Sequence, residues 1–339
     1  MTAGSPVYTK KDFQSDQEVR WCPGCGDYAI LSAVQSVLPE LGMARENLVV
    51  VSGIGCSSRF PYYMSSYGFH SIHGRAPAVA TGIKLARPDL EVWVVTGDGD
   101  SLAIGGNHTI HMLRRNVGIK VLMFNNRIYG LTKGQYSPTS ELGKRTKTTP
   151  HGSVDPPFHP LSLALGAEAT FVARSVDVLQ PHLKATIKRV GVHRGAAYLE
   201  VLQNCNIFND GAWRHLTEKE VRADATLSLE HGQPLVFGRN ADRGIRMKGC
   251  DLEVVQLGGG VTEKDLLVHD ERHPNPGYAF LLSRMDTLPG FPTPIGVFRA
   301  VEAPRYEDAV AEKIRQVVEK KGRGNLAALL RAGDTWEVK

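Results

Sequence analysis

The chain has 339 residues, of which 42% are hydrophobic and 22% are charged, and its formal net charge is +5 at pH 7. This length and composition predict an ordinary globular protein with one large α/β core, or a core with an appended lobe. The small positive charge is too dispersed to indicate a nucleic-acid-binding protein, although it would favour an acidic protein partner.

The N-terminal segment, residues 1–20, is polar and lacks the apolar core of a signal peptide. No apolar run approaches the length needed to cross a bilayer, so we expect a cytoplasmic protein without membrane contact. Cytoplasmic thiols stay reduced, and the five cysteines are therefore expected to be ligands or buried side chains rather than disulfides.

Hydrophobic periodicity predicts alternating helices and strands in the first half of the chain. Asp27 is expected to cap a helix over residues 28–38, and a buried strand over 48–51 is expected to end in a glycine-rich loop. The elements predicted next are a helix over 77–86, a strand over 91–96, a helix from about 103 to 115 and a strand over 119–124. Strand, crossover helix and strand in this order indicate a right-handed βαβ unit.

The second half begins with a long loop over residues 132–160, a length that is usually functional or mobile. A helix over 176–190 and a strand over 197–202 are expected to continue the α/β pattern. The composition changes near residue 217, which predicts a main domain over 1–213 and a smaller α/β extension over 214–339 that includes a helix at 306–320. The predicted fold class is therefore α/β, with a doubly wound parallel sheet and this C-terminal extension.

Two polar motifs follow neighbouring predicted strands, one at Gly97-Asp98-Gly99-Asp100 and the other at Asn125-Asn126. Each alone is a common turn sequence. Together, one crossover apart, they favour a site for a divalent ion and a diphosphate, because a carboxylate and an amide oxygen at adjacent strand ends can reach one metal ion. The flanking glycines would let the backbone approach the phosphates closely, and the N-terminus of the following helix would attract their negative charge.

The segment from Gly97 to Asn126 resembles the thiamine-diphosphate fingerprint of transketolases, decarboxylases and 2-oxoacid oxidoreductases. That resemblance implies Mg²⁺ bound by Asp98, Asn126 and the backbone carbonyl of Ile128.

The cysteine pattern on its own allows three interpretations. A thioredoxin-like pair at Cys22 and Cys25 is disfavoured, because the residues before it are polar rather than a strand. Structural zinc and a 4Fe–4S cluster remain equally compatible with four thiolates. The four candidate ligands are Cys22, Cys25, Cys56 and Cys205, which leaves Cys250 as a spare side chain.

Motifs interleaved with the fingerprint resemble the β subunit of 2-oxoacid:ferredoxin oxidoreductases over approximately residues 21–210. They are Trp21-Cys22-Pro23-Gly24-Cys25-Gly26, Gly53-Ile54-Gly55-Cys56-Ser57, His73-Gly74-Arg75-Ala76 and the run from Tyr129 through Lys133 to Thr139. The resemblance implies one 4Fe–4S cluster held by Cys22, Cys25, Cys56 and Cys205.

The resemblance also implies a set of residues that contact the thiamine cofactor and substrate. The cofactor-binding set is Ile54, Gly55, Ser57, His73, Gly97, Asp98, Gly99, Asp100, Asn126, Ile128, Gly130 and Leu131. His73 and Lys133 are the catalytic candidates, and Lys133 would face the substrate side chain. A lysine there could pair with the distal carboxylate of 2-oxoglutarate, which pyruvate lacks.

The implied activity is reversible oxidative decarboxylation of a 2-oxoacid, with coenzyme A and ferredoxin as co-substrates and 2-oxoglutarate preferred to pyruvate. The implied assembly is a dimer of αβ heterodimers, in which an α or fused αγ subunit supplies the glutamate that activates the cofactor. The isolated chain is accordingly expected to be inactive. A non-oxidative thiamine decarboxylase or carboligase would leave the four cysteines without a role, and a zinc-stabilised nucleotide-binding or scaffold protein would leave Asp98 and Asn126 unexplained.

Overall fold

The computed structural model describes residues 8–338. Residues 1–7, the beginning of the polar N-terminal segment, and Lys339, the last residue of the predicted extension, lie outside the described residues. Between residues 8 and 338, no helix combines the length and the apolar character needed to cross a bilayer.

Strands and helices alternate through most of the described chain. The strands are β1 (Leu48–Ser52), β2 (Tyr67–His70), β3 (Glu91–Gly97), β4 (Ile119–Asn125), β5 (Phe171–Val176), β6 (Ala197–Leu202), β7 (Thr226–Leu229), β8 (Val236–Phe237), β9 (Arg243–Lys248), β10 (Asp251–Gln256) and β11 (Thr293–Ala300). The helices are α1 (Asp27–Glu40), α2 (Ala76–Ala86), α3 (Asp98–Leu102), α4 (Gly106–Arg114), α5 (Pro160–Gly166), α6 (Gln180–Val192), α7 (Arg214–Thr217), α8 (Lys219–Ala225), α9 (Pro276–Ser283), α10 (Tyr306–Lys321) and α11 (Leu326–Leu330).

The central sheet has eight strands in the order β2-β1-β3-β4-β6-β5-β11-β7. Strands β1 to β6 run parallel to one another. Strand β11 pairs antiparallel with β5, and the edge strand β7 pairs parallel with β11. Helices cover both faces, so the strands β1 and β4 are buried throughout. Each contains an uninterrupted apolar run, 48–51 in β1 and 121–124 in β4, rather than an alternating pattern. The predicted α/β class with a mostly parallel sheet is confirmed.

The two faces of the sheet belong to separate apolar clusters. Val49 and Val51 of β1 pack with residues of α2, α4, α5 and α9, while Leu48 and Val50 point to the other side and pack with α1 and α6. This alternation along one strand follows from the two-residue repeat of extended chain. The result is a three-layer arrangement that holds the loops at the strand ends in place.

Three predicted elements differ from the structure in the first 200 residues. Asp27 is the first residue of α1 and makes no capping hydrogen bond, so its predicted role as a helix cap is wrong. The predicted helix over 103–115 instead begins at Asp98 as α3, breaks after Leu102 and resumes as α4. The break brings Gly105 against Gly74, where a Cβ on Gly105 would overlap the backbone of Asp100.

The predicted helix over 176–190 starts later, because Val176 is the last residue of β5. Helix α6 begins at Gln180 with Pro181 in its first turn, the position where proline's missing N–H costs nothing.

The C-terminal region contributes to the central sheet as well as forming structure of its own. Strands β7 and β11 lie in the eight-stranded sheet, and β8, β9 and β10 form a separate antiparallel sheet. Both β7 and β11 come from residues after the predicted domain boundary at 213/214. The boundary itself remains a prediction. The predicted helix at 306–320 corresponds to α10.

Candidate functional site

The candidate site lies at the carboxyl ends of four neighbouring strands. Asp98 follows β3, Asn126 follows β4, Cys56 lies in the loop after β1, and Cys205 lies in the loop after β6. Because β1, β3, β4 and β6 are adjacent and parallel, these loops meet at one edge of the sheet, where ligands bind in open α/β folds.

One cavity at this edge, which we name the Asp98 cavity, is lined by all twelve residues predicted to contact the cofactor. The other lining residues are Asp27, Cys56, Phe124, Tyr129 and Thr132. Cys56 was predicted as a cluster ligand, and Tyr129 and Thr132 lie within a motif that the sequence analysis singled out, whereas Asp27 and Phe124 were not predicted here. Phe124 is part of an apolar strand, and nothing in the sequence distinguishes it from a core residue.

The Asp98 carboxylate is buried and anchored by two hydroxyl groups. Ser137 Oγ and Thr139 Oγ1 both lie 2.5 Å from Asp98 Oδ2. Thr139 Oγ1 also lies 2.9 Å from Asn125 Oδ1, and the Asn125 amide donates to Glu200 at 2.7 Å. Burial raises the pKa of Asp98, and the two hydroxyl groups act against that rise. The hydroxyl anchors lie within the Tyr129–Thr139 motif, although only Asp98 was predicted as a site residue.

Asn126 is fixed by its own backbone and by a later loop. Its side-chain Oδ1 accepts a hydrogen bond from the Ile128 N–H at 3.1 Å, and its carbonyl oxygen accepts one from the Asn209 amide at 2.9 Å. An amide oxygen has a second lone pair, so Asn126 Oδ1 can still serve as a metal ligand.

Asp100 joins three segments that surround the Asp98 cavity. Its Oδ1 accepts hydrogen bonds from the Ile54 N–H at 3.0 Å and the Gly74 N–H at 2.7 Å, and it lies 2.7 Å from His73 Nδ1. Thr96 donates to the other oxygen at 2.7 Å. If Nδ1 carries the proton toward this carboxylate, the His73 ring is oriented with Nε2 free to accept a hydrogen bond.

Four of the five cysteines line a second cavity, which we name the cysteine cavity. They are Cys22, Cys25, Cys56 and Cys205. Cys56 Sγ and Cys205 Sγ lie 3.5 and 3.6 Å from the position that a Cβ on Gly130 would occupy. All five cysteines are free thiols. Among residues 8–338, no three His, Cys, Asp or Glu side chains are grouped closely enough to bind a single metal ion.

The protein environment disfavours free thiolates in the cysteine cavity. Burial raises the pKa of Cys56 to about 12, and the charge of Asp27 adds to that rise. Burial and the same carboxylate also raise the pKa of Cys25. A bound cation that stabilises thiolates would reverse this preference, and its binding would release protons.

Lys133, the catalytic candidate predicted to face the substrate side chain, lies beside the shared wall of the two cavities. It is exposed, has a positive φ of 75°, and lines the cysteine cavity rather than the Asp98 cavity. His73, the other catalytic candidate, lines the Asp98 cavity.

Comparison with known proteins identifies the family. Residues 53–201 match the family described as thiamine pyrophosphate enzyme, C-terminal TPP binding domain. The chain is 55% identical over 330 residues, 97% of its length and 88% of the relative's, to 2-oxoglutarate oxidoreductase subunit KorB of Mycobacterium tuberculosis. The chain belongs to the 2-oxoacid:ferredoxin oxidoreductase β-subunit family.

Two further relatives of this β-subunit family extend the comparison. The 2-oxoglutarate synthase subunit KorB of Methanocaldococcus jannaschii is 45% identical over 185 residues, which is 55% of this chain and 68% of the relative. A solved 2-oxoglutarate:ferredoxin oxidoreductase from Magnetococcus marinus, with 2-oxoglutarate, coenzyme A and succinyl-CoA bound, has a TM-score of 0.76 and 33% identity and covers 98% of both chains. Membership in the β-subunit family confirms the predicted thiamine-diphosphate-dependent oxidoreductase.

Gly99 gives a first test of the thiamine site in this β subunit. A Cβ on Gly99 would overlap the ring of Tyr129, whose hydroxyl donates to the Gly99 carbonyl at 3.2 Å. We expect Gly99→Ala to displace the ring from the cavity wall and to weaken thiamine diphosphate binding about tenfold, since overpacking costs ~1–3 kcal/mol. Calorimetric titration of the complex with its partner subunit measures this. Gly106→Ala, which has open space around it, is the matched control, and equal affinities of the two variants would contradict the expectation.

Proposed function

We propose that the chain binds thiamine diphosphate with Mg²⁺ in the Asp98 cavity and a 4Fe–4S cluster in the cysteine cavity. It would serve as the β subunit of an enzyme that converts 2-oxoglutarate, coenzyme A and oxidised ferredoxin reversibly to succinyl-CoA, CO₂ and reduced ferredoxin. The observation that carries the proposal is that the two cavities adjoin. They share the lining residues Cys56, Asn126, Gly130 and Leu131.

The donor set of the Asp98 cavity fits Mg²⁺ and a diphosphate. Asp98 and Asn126 offer the hard oxygen atoms that Mg²⁺ prefers, and the carbonyl of Ile128 would be the third protein ligand. When bound, thiamine diphosphate supplies the electron sink for decarboxylation. Phe124 and Ile128 give the cavity an apolar wall that limits water, and Asp100 orients His73 toward the ligand space.

The donor set of the cysteine cavity fits a 4Fe–4S cluster, which is held by four cysteine thiolates. Cys22 is exposed and the other three are partly or fully buried, so one side of the site is accessible to an external electron acceptor. The Trp21 indole donates to the Cys56 carbonyl at 2.7 Å, and the Gln203 amide lies 3.4 Å from Cys25 Sγ. These contacts would hold the ligand loops in position.

Membership in the family supports the proposed partners. The printed description of the Magnetococcus marinus enzyme includes 2-oxoglutarate, coenzyme A and succinyl-CoA, which supports the same substrates for this chain. We propose a cytoplasmic dimer of αβ heterodimers, in which an α or fused αγ subunit completes the cofactor site, with ferredoxin as the electron acceptor. The complex would take part in a cycle that interconverts 2-oxoglutarate and succinyl-CoA.

Lys133 provides a test of substrate preference. If its ammonium group pairs with the distal carboxylate of 2-oxoglutarate, Lys133→Ala should raise the KM for 2-oxoglutarate about tenfold, a loss of ~1.4 kcal/mol, with a much smaller effect on pyruvate. The measurement is steady-state dye reduction with each substrate. Lys147→Ala, in the same long loop but lining neither cavity, is the control. Equal changes for both substrates would contradict the proposed pairing.

The proposed function is tested by anaerobic co-purification of the chain with its partner subunit, followed by 2-oxoacid-dependent dye reduction. We expect activity that requires coenzyme A and prefers 2-oxoglutarate, and no activity from the isolated chain. A preference for pyruvate would reassign the substrate. Decarboxylation without dye reduction would indicate a non-oxidative thiamine enzyme, and full activity of the isolated chain would refute the need for a partner.

A further inference from the structure

We propose that Asp27 is a further cofactor-contacting residue, whose carboxylate faces the positively charged thiazolium ring of bound thiamine diphosphate. The inference rests on the proposed function, because it requires that cofactor in the Asp98 cavity.

Asp27 is a buried acid with an unsatisfied oxygen atom. Asp27 is one of the residues that line the Asp98 cavity, although it is only 1% exposed. Among the described residues, Asp27 Oδ1 has no hydrogen-bond partner and no basic side chain forms an ion pair with this carboxylate. The neighbouring Asp177, also buried, adds a second negative charge to the same region.

A buried carboxylate without a counter-charge is costly, and a cationic ligand would offset that cost. The 2-oxoacid and coenzyme A are anions and would be repelled. Mg²⁺ would be held by Asp98 and Asn126. The thiazolium ring is therefore the remaining cation among the ligands of the proposed reaction.

The position of Asp27 fits the ring rather than the phosphates. Asp27 lines the Asp98 cavity and lies two residues after Cys25, which lines the cysteine cavity. It therefore lies where the Asp98 cavity approaches the cysteine cavity. With the diphosphate at Asp98, the ring portion of the cofactor would extend toward this end of the cavity.

The test compares two ligands that differ in ring charge. Deazathiamine diphosphate replaces the thiazolium nitrogen with carbon and so has nearly the same shape without the positive charge. Dissociation constants of both ligands are measured by calorimetry for the complex with its partner subunit, with and without Asp27→Asn. We expect Asp27→Asn to shift the ratio of the two constants about tenfold toward the neutral ligand.

Asp177→Asn is the matched control, because Asp177 is an equally buried carboxyl that does not line the Asp98 cavity. Because Asp177 lies outside the cavity, Asp177→Asn is expected to shift the ratio much less than Asp27→Asn does. Should Asp27→Asn fail to co-purify with the partner subunit, Asp27→Ser is measured in the same way.

An unchanged ratio in the Asp27 variants, or an equal shift in Asp177→Asn, would overturn the inference while leaving the proposed function intact. Failure of the unmodified complex to bind either ligand would refute the proposed function itself.

Discussion

Asp98→Asn is expected to abolish Mg²⁺-dependent binding of thiamine diphosphate. The replacement keeps the shape of the side chain and an oxygen that can accept from Ser137 and Thr139, whose hydroxyl groups lie 2.5 Å from Asp98 Oδ2. It removes the negative charge that the divalent ion needs. Loss of a residue that merely supports a metal ligand costs about 10–100-fold, so we expect at least a ~100-fold loss of affinity and of kcat/KM.

Calorimetric titration of the complex with thiamine diphosphate, with and without Mg²⁺, measures the effect of Asp98→Asn. Asp155→Asn is a suitable control, because Asp155 is an exposed carboxylate that bonds only to the Tyr136 hydroxyl among the described side-chain contacts. Retention of Mg²⁺-dependent affinity by Asp98→Asn would show that the metal binds elsewhere.

Cys56→Ala is expected to remove the cluster and with it all 2-oxoacid-dependent dye reduction. Cys56 borders both cavities, so its loss would break the connection between cofactor and electron acceptor. A 4Fe–4S cluster needs four cysteine ligands, and we expect iron content to fall from about four atoms per chain to well below one. Thiamine diphosphate binding should persist, because the ligands of Mg²⁺ are unchanged.

Iron and sulfide analysis after anaerobic purification, with the visible spectrum, checks the effect of Cys56→Ala. Cys250→Ala is the matched control, since Cys250 is exposed at the turn between β9 and β10 and lines neither cavity. Full iron content in Cys56→Ala, or equal loss in Cys250→Ala, would contradict the assignment of the cluster ligands.

The sequence could predict most of the candidate site because the motifs follow strand ends. In a parallel sheet the carboxyl ends of neighbouring strands lie at one edge, so Asp98 after β3 and Asn126 after β4 are close together once those strands are recognised. The same reasoning extends to Cys205, which follows β6, the other neighbour of β4. Cys205 is far from Cys56 in the sequence, and its place beside Cys56 depends on the strand order.

Contacts between distant segments could not be predicted in the same way. Asp27 looks like a helix-capping residue in the sequence, and its burial beside Asp177 depends on the packing of α1 against the loop after β5. Gly26 shows the closeness of that packing, since a Cβ there would overlap the Asp177 carboxylate. Strand β11 contains glycine and proline and lacks a clear alternating pattern, so its addition to the central sheet depends on tertiary packing.

The central claim is that a magnesium-bound thiamine cofactor and an iron–sulfur cluster lie side by side in this chain and exchange electrons. The most direct measurement is the visible and electron paramagnetic resonance spectrum of the anaerobic complex before and after addition of 2-oxoglutarate, without ferredoxin. We predict a brown absorbance that is bleached by the substrate, together with the signal of a reduced 4Fe–4S cluster. Stoichiometric zinc without iron, or a cluster that 2-oxoglutarate leaves oxidised, would contradict the account.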